Sequence, residues 1–314
     1  MNLFLKILNK YFFLKKKYEV NKIAGKLNIN QKKSIVISGV PRGGTTWLAE
    51  LLNTDKNSAI LWEPLHPEYY PPVKQYNFKY RQFFDAKYSD NRIYTLFDNM
   101  LKGKLLSMGI LQRTNINQLR NAEYFIIKFC RANRLLPWLT TNFEFKKTIH
   151  LLRHPCAVVA SQMRFGAWDN VPANFTKEEL KPDGFIEKYY DILSPINTIE
   201  EKLAAIWCLD NIIPLEENKN NNWTSITYEN LLLNPEQTFQ LLDLDFNDDI
   251  KNKFYQPSTT TKKGSPIKSK EDVKQQLSYW KKTLNEKQVA SIINILKQFN
   301  IAIYSKDIMP TVNY

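Results

Sequence analysis

Short apolar runs alternate along the chain with segments of helical periodicity. Runs rich in β-branched or aromatic residues occur at 34–39, 58–62, 123–129 and 146–152, and a fifth, TSIT, begins at Thr224. Continuous apolar runs of this length predict strands buried on both faces. Because helical segments separate them, we expect an α/β fold of three layers, α/β/α, with a central parallel sheet.

Local signals place helices between these strands. Apolar residues recur on one side of 45–53, and Pro155 predicts the start of another helix, because the first helical N–H groups have no partner. Thr198 and Glu201 have the spacing of a capping box before a long helix. The carboxyl-terminal segment is predicted as two helices broken near Asn285.

The segment SGVPRGGTTWLAELLN, at 38–53, follows the first predicted strand and is close to a phosphate-binding loop. From Gly39 the G-x-x-x-x-G-K-[ST] spacing holds as far as Gly44, but Thr45 stands where the lysine belongs. Backbone N–H groups and hydroxyls at the start of a helix are enough to bind one phosphate. In nucleotide triphosphatases the lysine is the residue that contacts the β- and γ-phosphates, so a loop without it is poorly suited to a triphosphate. Arg42 offers a fixed cation to a group in transfer without a metal.

Other chemically distinctive residues also follow predicted strands. Parallel sheets bind ligands at the carboxyl ends of their strands. The phosphate-binding loop, Glu63, Lys128 and Arg153 all occupy such positions. We therefore expect them to converge on one site.

Composition narrows the class of protein. The chain has 314 residues, is 43% hydrophobic and carries a formal net charge of +13. These values favour a globular protein that attracts anions, and we expect a basic segment, 1–30, followed by a single domain, 31–314. The lysines are dispersed and form no nucleic-acid motif, so nucleic acid is not an expected partner.

The cysteines and histidines indicate a compartment and argue against a metal site. Three cysteines without C-x-x-C spacing indicate a reducing compartment, the cytoplasm, where they would be small core residues. The three histidines have no metal-ligand spacing, so no metal is expected.

The amino-terminal residues are both apolar and basic. Lys6 and Lys10 interrupt the apolar runs well before the roughly 18 residues that a membrane span requires, and no signal-peptide cleavage site follows. The alternatives are a basic amphipathic helix lying on anionic lipid, at the inner face of a membrane, or a helix packed on the domain.

Residues 41–47 resemble the 5′-phosphosulfate-binding loop of sulfotransferases that use 3′-phosphoadenosine 5′-phosphosulfate (PAPS). In that family the loop has a proline, a basic residue, a small residue, a glycine, two hydroxyl residues and an aromatic residue. The matching residues here are Pro41, Arg42, Gly43, Gly44, Thr45, Thr46 and Trp47, with Gly43 where serine is common. The resemblance implies a P-loop-like fold, PAPS as donor, released as PAP, and Arg42 stabilising charge on the bridging oxygen.

A second stretch, RHPCAVVASQM, resembles the 3′-phosphate motif of the same family. That motif is an arginine at a strand end and a serine eight residues later, which Arg153 and Ser161 match. The resemblance implies that these two residues and the loop at 41–47 hold opposite ends of one nucleotide. A separation too large for one nucleotide would overturn this assignment.

A sulfotransferase also needs a base for the proton of the acceptor hydroxyl. In cytosolic phenol and steroid sulfotransferases it is a histidine in a K-x-H stretch, where this chain has Lys128 and Cys130. In Golgi-type carbohydrate sulfotransferases a glutamate within an aromatic-Glu-Pro sequence takes that place, and Trp62, Glu63 and Pro64 reproduce it. The resemblance therefore implies Glu63 as base and a carbohydrate hydroxyl as acceptor.

Two further residues compete for roles beside Glu63. His66 is an alternative base or a substrate contact, since its ordinary pKa is already near neutral and that of Glu63 needs burial to rise. Lys128 either lies near the sulfonate or packs its stem at the strand end.

Later segments supply weaker candidates. The run STTTKKGSPIKS is similar in character to a late basic loop of the family, which suggests nucleotide contacts from Lys262, Lys263 and Gly264, and a solvated charge run is the alternative. Candidates for stacking on a sugar are Tyr69, Tyr70 and Trp168.

Two other functions fit parts of this pattern. A P-loop kinase with an unusual loop would require Mg²⁺ and ATP. A non-enzymatic module would use the same basic cleft to hold an anionic polysaccharide or lipid.

Overall fold

A parallel sheet forms the centre of the molecule. The computed structural model describes residues 3–76, 78, 82–166, 175, 184–217, 222–257 and 269–311. Within them the strand order is β2-β3-β1-β4-β5, with every pairing parallel. The strands are β1 Ile35–Ser38, β2 Ser58–Trp62, β3 Tyr124–Phe129, β4 Lys147–Leu152 and β5 Thr224–Thr227. The predicted α/β fold is confirmed.

Helices connect and cover the strands. In the described residues they are α1 Leu3–Ala24, α2 Thr45–Leu52, α3 Asn91–Leu101, α4 Ile116–Arg120, α5 Leu136–Asn142, α6 Pro155–Arg164, α7 Gly184–Glu187, α8 Tyr190–Leu193, α9 Ile199–Glu216, α10 Tyr228–Leu233, α11 Pro235–Leu241, α12 Asp248–Phe254, α13 Lys270–Ser278 and α14 Glu286–Gln298. Short 3₁₀ helices occur at Gln31–Lys33, Pro71–Tyr76, Asn133–Leu135 and Tyr279–Lys282.

The helix starts that the sequence predicted are found in the structure. Pro155 begins α6, Thr198 and Glu201 form the capping box of α9, and Asn285 caps α14. The proline-rich segment after β2 adds a short 3₁₀ helix to the predicted elements. Proline suits the first turn of a helix, and Pro71 begins a 3₁₀ helix.

Strand alternation divides the core between the two faces of the sheet. Ile35 and Ile37 of β1 pack in a cluster with residues of α2, α10 and α12. Val36, between them, belongs to the cluster on the opposite face, with residues of α3 and α5. A third cluster, built by α6, α9 and α14, extends the core beside β4. The loop that leaves β1 therefore starts from the centre of a sheet covered on both faces.

The carboxyl-terminal end of the first helix packs on this core. Val20, Ile23 and Ala24 are buried, and Val20 and Ile23 pack in the cluster that contains Val36. Within the described residues, no helix combines the length and apolar character needed to cross a membrane.

Candidate active site

The loop between β1 and α2 needs glycine at its last position. Gly44 has φ 97° and caps α2. A Cβ atom on Gly44 would lie 2.7 Å from the Tyr228 ring, which packs against the loop at the start of α10. Gly44 thus allows a left-handed turn and close contact with the end of β5.

The two predicted phosphate motifs contact each other directly. Arg42 Nε donates a hydrogen bond to Ser161 Oγ at 3.0 Å, and Arg153 Nη1 donates to the Arg42 carbonyl oxygen at 3.0 Å. Gln162, next to Ser161, donates to the Pro41 carbonyl oxygen at 3.1 Å. The two motifs are therefore adjacent in the fold.

Three arginines concentrate positive charge at this contact. Burial lowers the pKa of Arg42, and the neighbouring charges of Arg153 and Arg164 lower it further. Within the described part of the chain, none of the three forms an ion pair with a carboxylate. Arg153 Nε is also buried without a hydrogen-bond partner. Such an arginine cluster, of Arg42, Arg153 and Arg164, is suited to a ligand with several negative charges.

Aromatic rings orient these guanidinium groups. Arg153 lies 4.5 Å from the centroid of the Tyr228 ring, and Arg42 lies 4.4 Å from that of Phe165. Cation–π contacts of this kind hold an arginine in place while leaving its N–H edge available to an anion.

A buried carboxylate lies at the end of strand β2, which β3 separates from β1 in the sheet. Glu63 is 4% exposed and forms ion pairs with Lys128 and with Arg131, the latter at 3.2 Å. The backbone N–H of Cys130 donates to Glu63 Oε2 at 3.1 Å. We call Glu63, Lys128, Cys130 and Arg131 the carboxylate cluster.

The ion pairs outweigh burial in setting the charge of Glu63. Burial alone would raise the pKa of Glu63, but Lys128 and Arg131 lower it, and the net pKa lies below the ordinary glutamate value. The direction is opposite to the one that the sequence suggested for a glutamate base. Glu63 is therefore a permanent carboxylate near neutral pH.

Burial and Arg131 lower the pKa of His66, so this residue is neutral near pH 7. Its Nδ1 accepts a hydrogen bond from the backbone N–H of Glu68 at 3.2 Å, which leaves the ring proton on Nε2. In this tautomer Nε2 is a hydrogen-bond donor and cannot accept a proton.

The carboxylate cluster contacts the phosphate-binding loop. Lys128 Nζ donates to Cys130 Sγ at 2.9 Å, and Cys130 Sγ lies 3.7 Å from Thr45 Oγ1. Burial and Glu63 raise the pKa of Cys130 to about 11, so the thiol is neutral. Trp62 Nε1 also donates to Thr46 Oγ1 at 3.4 Å. The carboxylate and the loop thus belong to one site.

Two residues of this site have unusual backbone conformations. In the described residues, the non-glycine residues with positive φ are Arg42, Glu63, Asp243 and Asn300. Aspartate and asparagine tolerate this region, whereas arginine and glutamate do so at a penalty of about 1–2 kcal/mol. Backbone strain of this kind is concentrated at functional sites.

Comparison with known proteins decides the family. The model of the sulfotransferase family matches residues 34–243, which include both phosphate motifs and the carboxylate cluster. The chain belongs to the sulfotransferase family. It is accordingly an enzyme that transfers a sulfonate group.

Several solved structures are similar to this sulfotransferase. The sulfotransferase domain of the Synechococcus PCC 7002 olefin synthase is 18% identical, with a TM-score of 0.46 over 88% of this chain and 96% of that one. The sulfotransferase domain from the curacin biosynthetic pathway is 17% identical, with a TM-score of 0.44 over 85% and 97%. Mouse sulfotransferase SULT7A1, complexed with PAP, is 14% identical, with a TM-score of 0.42 over 88% and 89%. No curated protein matches the chain.

The structure places the predicted sugar-stacking residues of the sulfotransferase in different surroundings, and some predicted site residues lie outside the described part of the chain. Tyr70 is fully buried and donates its hydroxyl proton to the Leu105 carbonyl oxygen at 3.0 Å, so the prediction that it stacks on a sugar was wrong. Tyr69 is partly exposed and packs against His66 and Trp62. The other candidates, Trp168, Lys262, Lys263 and Gly264, lie outside the described residues.

Trp47 and Lys128 are more enclosed than the sequence suggested. Trp47 packs edge-on against Tyr228 and Phe254 in the core. Lys128 is 3% exposed, and its amino group is committed to Glu63 and Cys130.

Sequence reasoning missed three residues that shape the site. Arg131 pairs with Glu63, Arg164 adds charge beside Arg42, and Tyr228 packs against Gly44 and Arg153. Tyr228 follows β5 directly, so the strand-end rule that selected Arg153 could also have selected it. Arg164 ends α6 and carries no comparable signal.

Proposed function

We propose that this sulfotransferase takes its sulfonate from PAPS and delivers it to a hydroxyl group, with a carbohydrate as the acceptor class. The observation that supports this most directly is the contact between Arg42, Ser161 and Arg153, which creates positive charge without a carboxylate partner in the described residues. A bisphosphorylated nucleotide supplies the negative charge that such a cluster requires.

The residues divide between the two ends of the nucleotide. Arg153 and Ser161 bind the 3′-phosphate, and the buried Nε of Arg153 is a donor available for it. Residues 42–46 bind the 5′-phosphosulfate with backbone N–H groups and hydroxyls at the start of α2. When bound, PAPS supplies a sulfonate on a phosphate leaving group.

Arg42 and Glu63 then act on the reacting atoms. The acceptor oxygen bonds to sulfur as the bridging S–O bond breaks, and Arg42 stabilises the negative charge left on the phosphate oxygen. Glu63 accepts the acceptor proton. Its lowered pKa keeps it ionised but makes it a weak base, so the positive charges around the site supply the larger part of the catalysis.

The acceptor assignment rests on the surroundings of Glu63. Trp62, Tyr69 and His66 form an aromatic group, with ring centroids 4.9 Å apart for Trp62 and Tyr69 and 4.1 Å apart for His66 and Tyr69. A partly exposed aromatic face of this kind stacks on the apolar face of a sugar, and His66 Nε2 donates to a hydroxyl.

The direct test is transfer of label from radioactive PAPS to a panel of glycans, alongside PAP binding measured by calorimetry. Arg153→Ala should weaken PAP binding roughly 10- to 100-fold, as expected for a lost charged hydrogen bond, while kcat at saturating PAPS changes little. Glu63→Gln should lower kcat on the order of 100-fold or more and leave PAP binding intact. The matched surface control is Arg92→Ala, whose side chain is 79% exposed.

Several outcomes would contradict these assignments. Absence of both transfer and PAP binding would reject the function, and equal loss of PAP binding in the two variants would reject the division of roles. Because Glu63→Gln leaves Lys128 without its carboxylate, circular dichroism must show a folded protein, and Glu63→Asp provides a second variant. Thermal stabilisation by ADP with Mg²⁺ but not by PAP would favour the kinase, and binding of glycans without transfer would favour the non-enzymatic module.

A further inference from the structure

The amino-terminal helix presents large apolar side chains to solvent. Leu8, Tyr11, Leu14 and Tyr18 are 37%, 59%, 53% and 70% exposed. They are four of the ten large apolar side chains exposed in the described residues, and all four fall between residues 8 and 18. Surface side chains of this kind are ordinary when scattered, but a concentration of them indicates an interaction surface.

Helix geometry places these four side chains together. They recur every three or four residues, so at about 100° per residue they form one stripe along α1. By the same geometry, the stripe lies on the side of the helix opposite Val20, Ile23 and Ala24, which are buried against the domain. The apolar stripe therefore faces away from the core.

Positive charge accompanies the apolar stripe. Lys10 and Lys17 lie along one edge of the stripe, Lys15 and Lys22 lie on the same face of α1 as the stripe itself, and all four are exposed. The first acidic residue of the chain is Glu19, which lies 3.5 Å from Arg120. Among the side chains that the structure describes between residues 8 and 18, the exposed apolar ones thus lie close to lysines, and every charged one is a lysine.

We propose that this segment, residues 8–18 of α1, docks the enzyme on an anionic lipid bilayer. The leucines and tyrosines enter the boundary between headgroups and acyl chains, and the lysines contact lipid phosphates. A second copy of the same helix would place its own lysines against those of the first, and these like charges would repel. A nucleic acid would leave the leucines in water. A bilayer satisfies both features at once.

The experiment is co-sedimentation of the full chain with vesicles of phosphatidylcholine alone or with 30% phosphatidylserine. The protein should partition strongly only to the anionic vesicles, and 0.5 M salt should release most of it. Lys10→Gln, Lys15→Gln and Lys17→Gln together should weaken partitioning on the order of 100-fold, since each lysine near an anionic surface contributes about five-fold. Leu8→Gln with Leu14→Gln should weaken it at least ten-fold with the charge unchanged.

The matched control removes the same charge elsewhere. Lys87, Lys287 and Lys297 are exposed and lie far along the chain from α1, and replacing all three with glutamine should change partitioning less than five-fold. Equal losses in the two triple variants would show a general charge effect and overturn the proposal. So would failure to bind anionic vesicles, or a dimer in light scattering that the leucine variant abolishes. PAP-induced thermal stabilisation should be the same in all variants and serves as the folding check.

Discussion

At the scale of single residues, the charge state of Glu63 is central to the proposed mechanism. A carboxylate buried with two cations is stabilised in its charged form, so it is ready to accept a proton over the whole neutral range. The position where part of the family has a histidine is occupied by Cys130, whose neutral thiol links Lys128 to Thr45. In the proposed mechanism the carboxylate cluster therefore acts through charge, and Glu63 within it receives the proton.

The pH profile of kcat/KM separates Glu63 from His66. A base must be deprotonated, so activity falls as pH drops through its pKa. With Glu63 as base, the acidic limb should lie below about pH 4.5, the upper bound set by its lowered pKa, and activity should be flat from pH 7.5 to 5.5 for as long as the fold persists. His66→Gln should keep this profile and lose less than ten-fold in kcat.

The contrary result is specific. The pKa of His66 lies below 6.5, so a base at this residue would give an acidic limb between pH 6.5 and 5. The base would be His66 if the enzyme showed this limb and if His66→Gln both lost the limb and had a kcat at least 100-fold lower. Circular dichroism at each pH distinguishes such a limb from acid unfolding.

At the scale of elements, the strands were predictable and the loop packing was not. Apolar runs bounded by polar residues identified all five strands of the sheet in the described residues, because burial on both faces demands continuous apolar sequence. Because parallel sheets bind ligands at the carboxyl ends of their strands, the sequence also predicted that Arg42, Glu63 and Arg153 lie near one another. The loop after β2 depends on tertiary contacts, such as that of Tyr70 with Leu105, and local sequence contains no sign of them.

Gly44→Ala tests the turn that joins β1 to α2. Alanine at φ 97° is strained, and its Cβ would approach the Tyr228 ring to 2.7 Å, so we expect unfolding free energy to fall by about 2 kcal/mol or more. Urea denaturation measures this. Gly25→Ala is the control, since a Cβ there meets nothing within 4 Å and φ is not in the left-handed region. It should change stability by less than about 1 kcal/mol, and comparable losses in the two variants would refute the account.

At the scale of the whole molecule, the carboxyl-terminal segment supports a site whose residues lie much earlier in the chain. His154 Nε2 lies 2.9 Å from the Asp307 carbonyl oxygen and 3.2 Å from that of Ser305. Burial lowers the pKa of His154 to about 4, so the ring is neutral and donates there from Nε2. Glu229 accepts from the His154 backbone N–H at 2.9 Å and from the Tyr304 hydroxyl at 2.7 Å. These contacts position the turn that carries Arg153.

Removal of the Tyr304 hydroxyl should lower the affinity of the enzyme for PAP. Tyr304→Phe leaves one oxygen of buried Glu229 without its donor, so unfolding free energy should fall by about 1–3 kcal/mol and PAP affinity should fall with it. Denaturation and calorimetry measure the two effects. Tyr94→Phe, at a residue 42% exposed, should alter neither. Normal PAP affinity in a destabilised Tyr304→Phe protein would show that the segment supports the fold alone.

The direct contact between the phosphate-binding loop and the Arg153–Ser161 pair has a consequence for turnover. Both sets of residues are suited to phosphates, whereas the group that PAPS would transfer to the acceptor is a sulfonate. The product nucleotide would therefore retain nearly every phosphate contact of the donor. On this basis the enzyme should be inhibited by its own product, and its steady-state flux should depend on how quickly another activity clears that nucleotide.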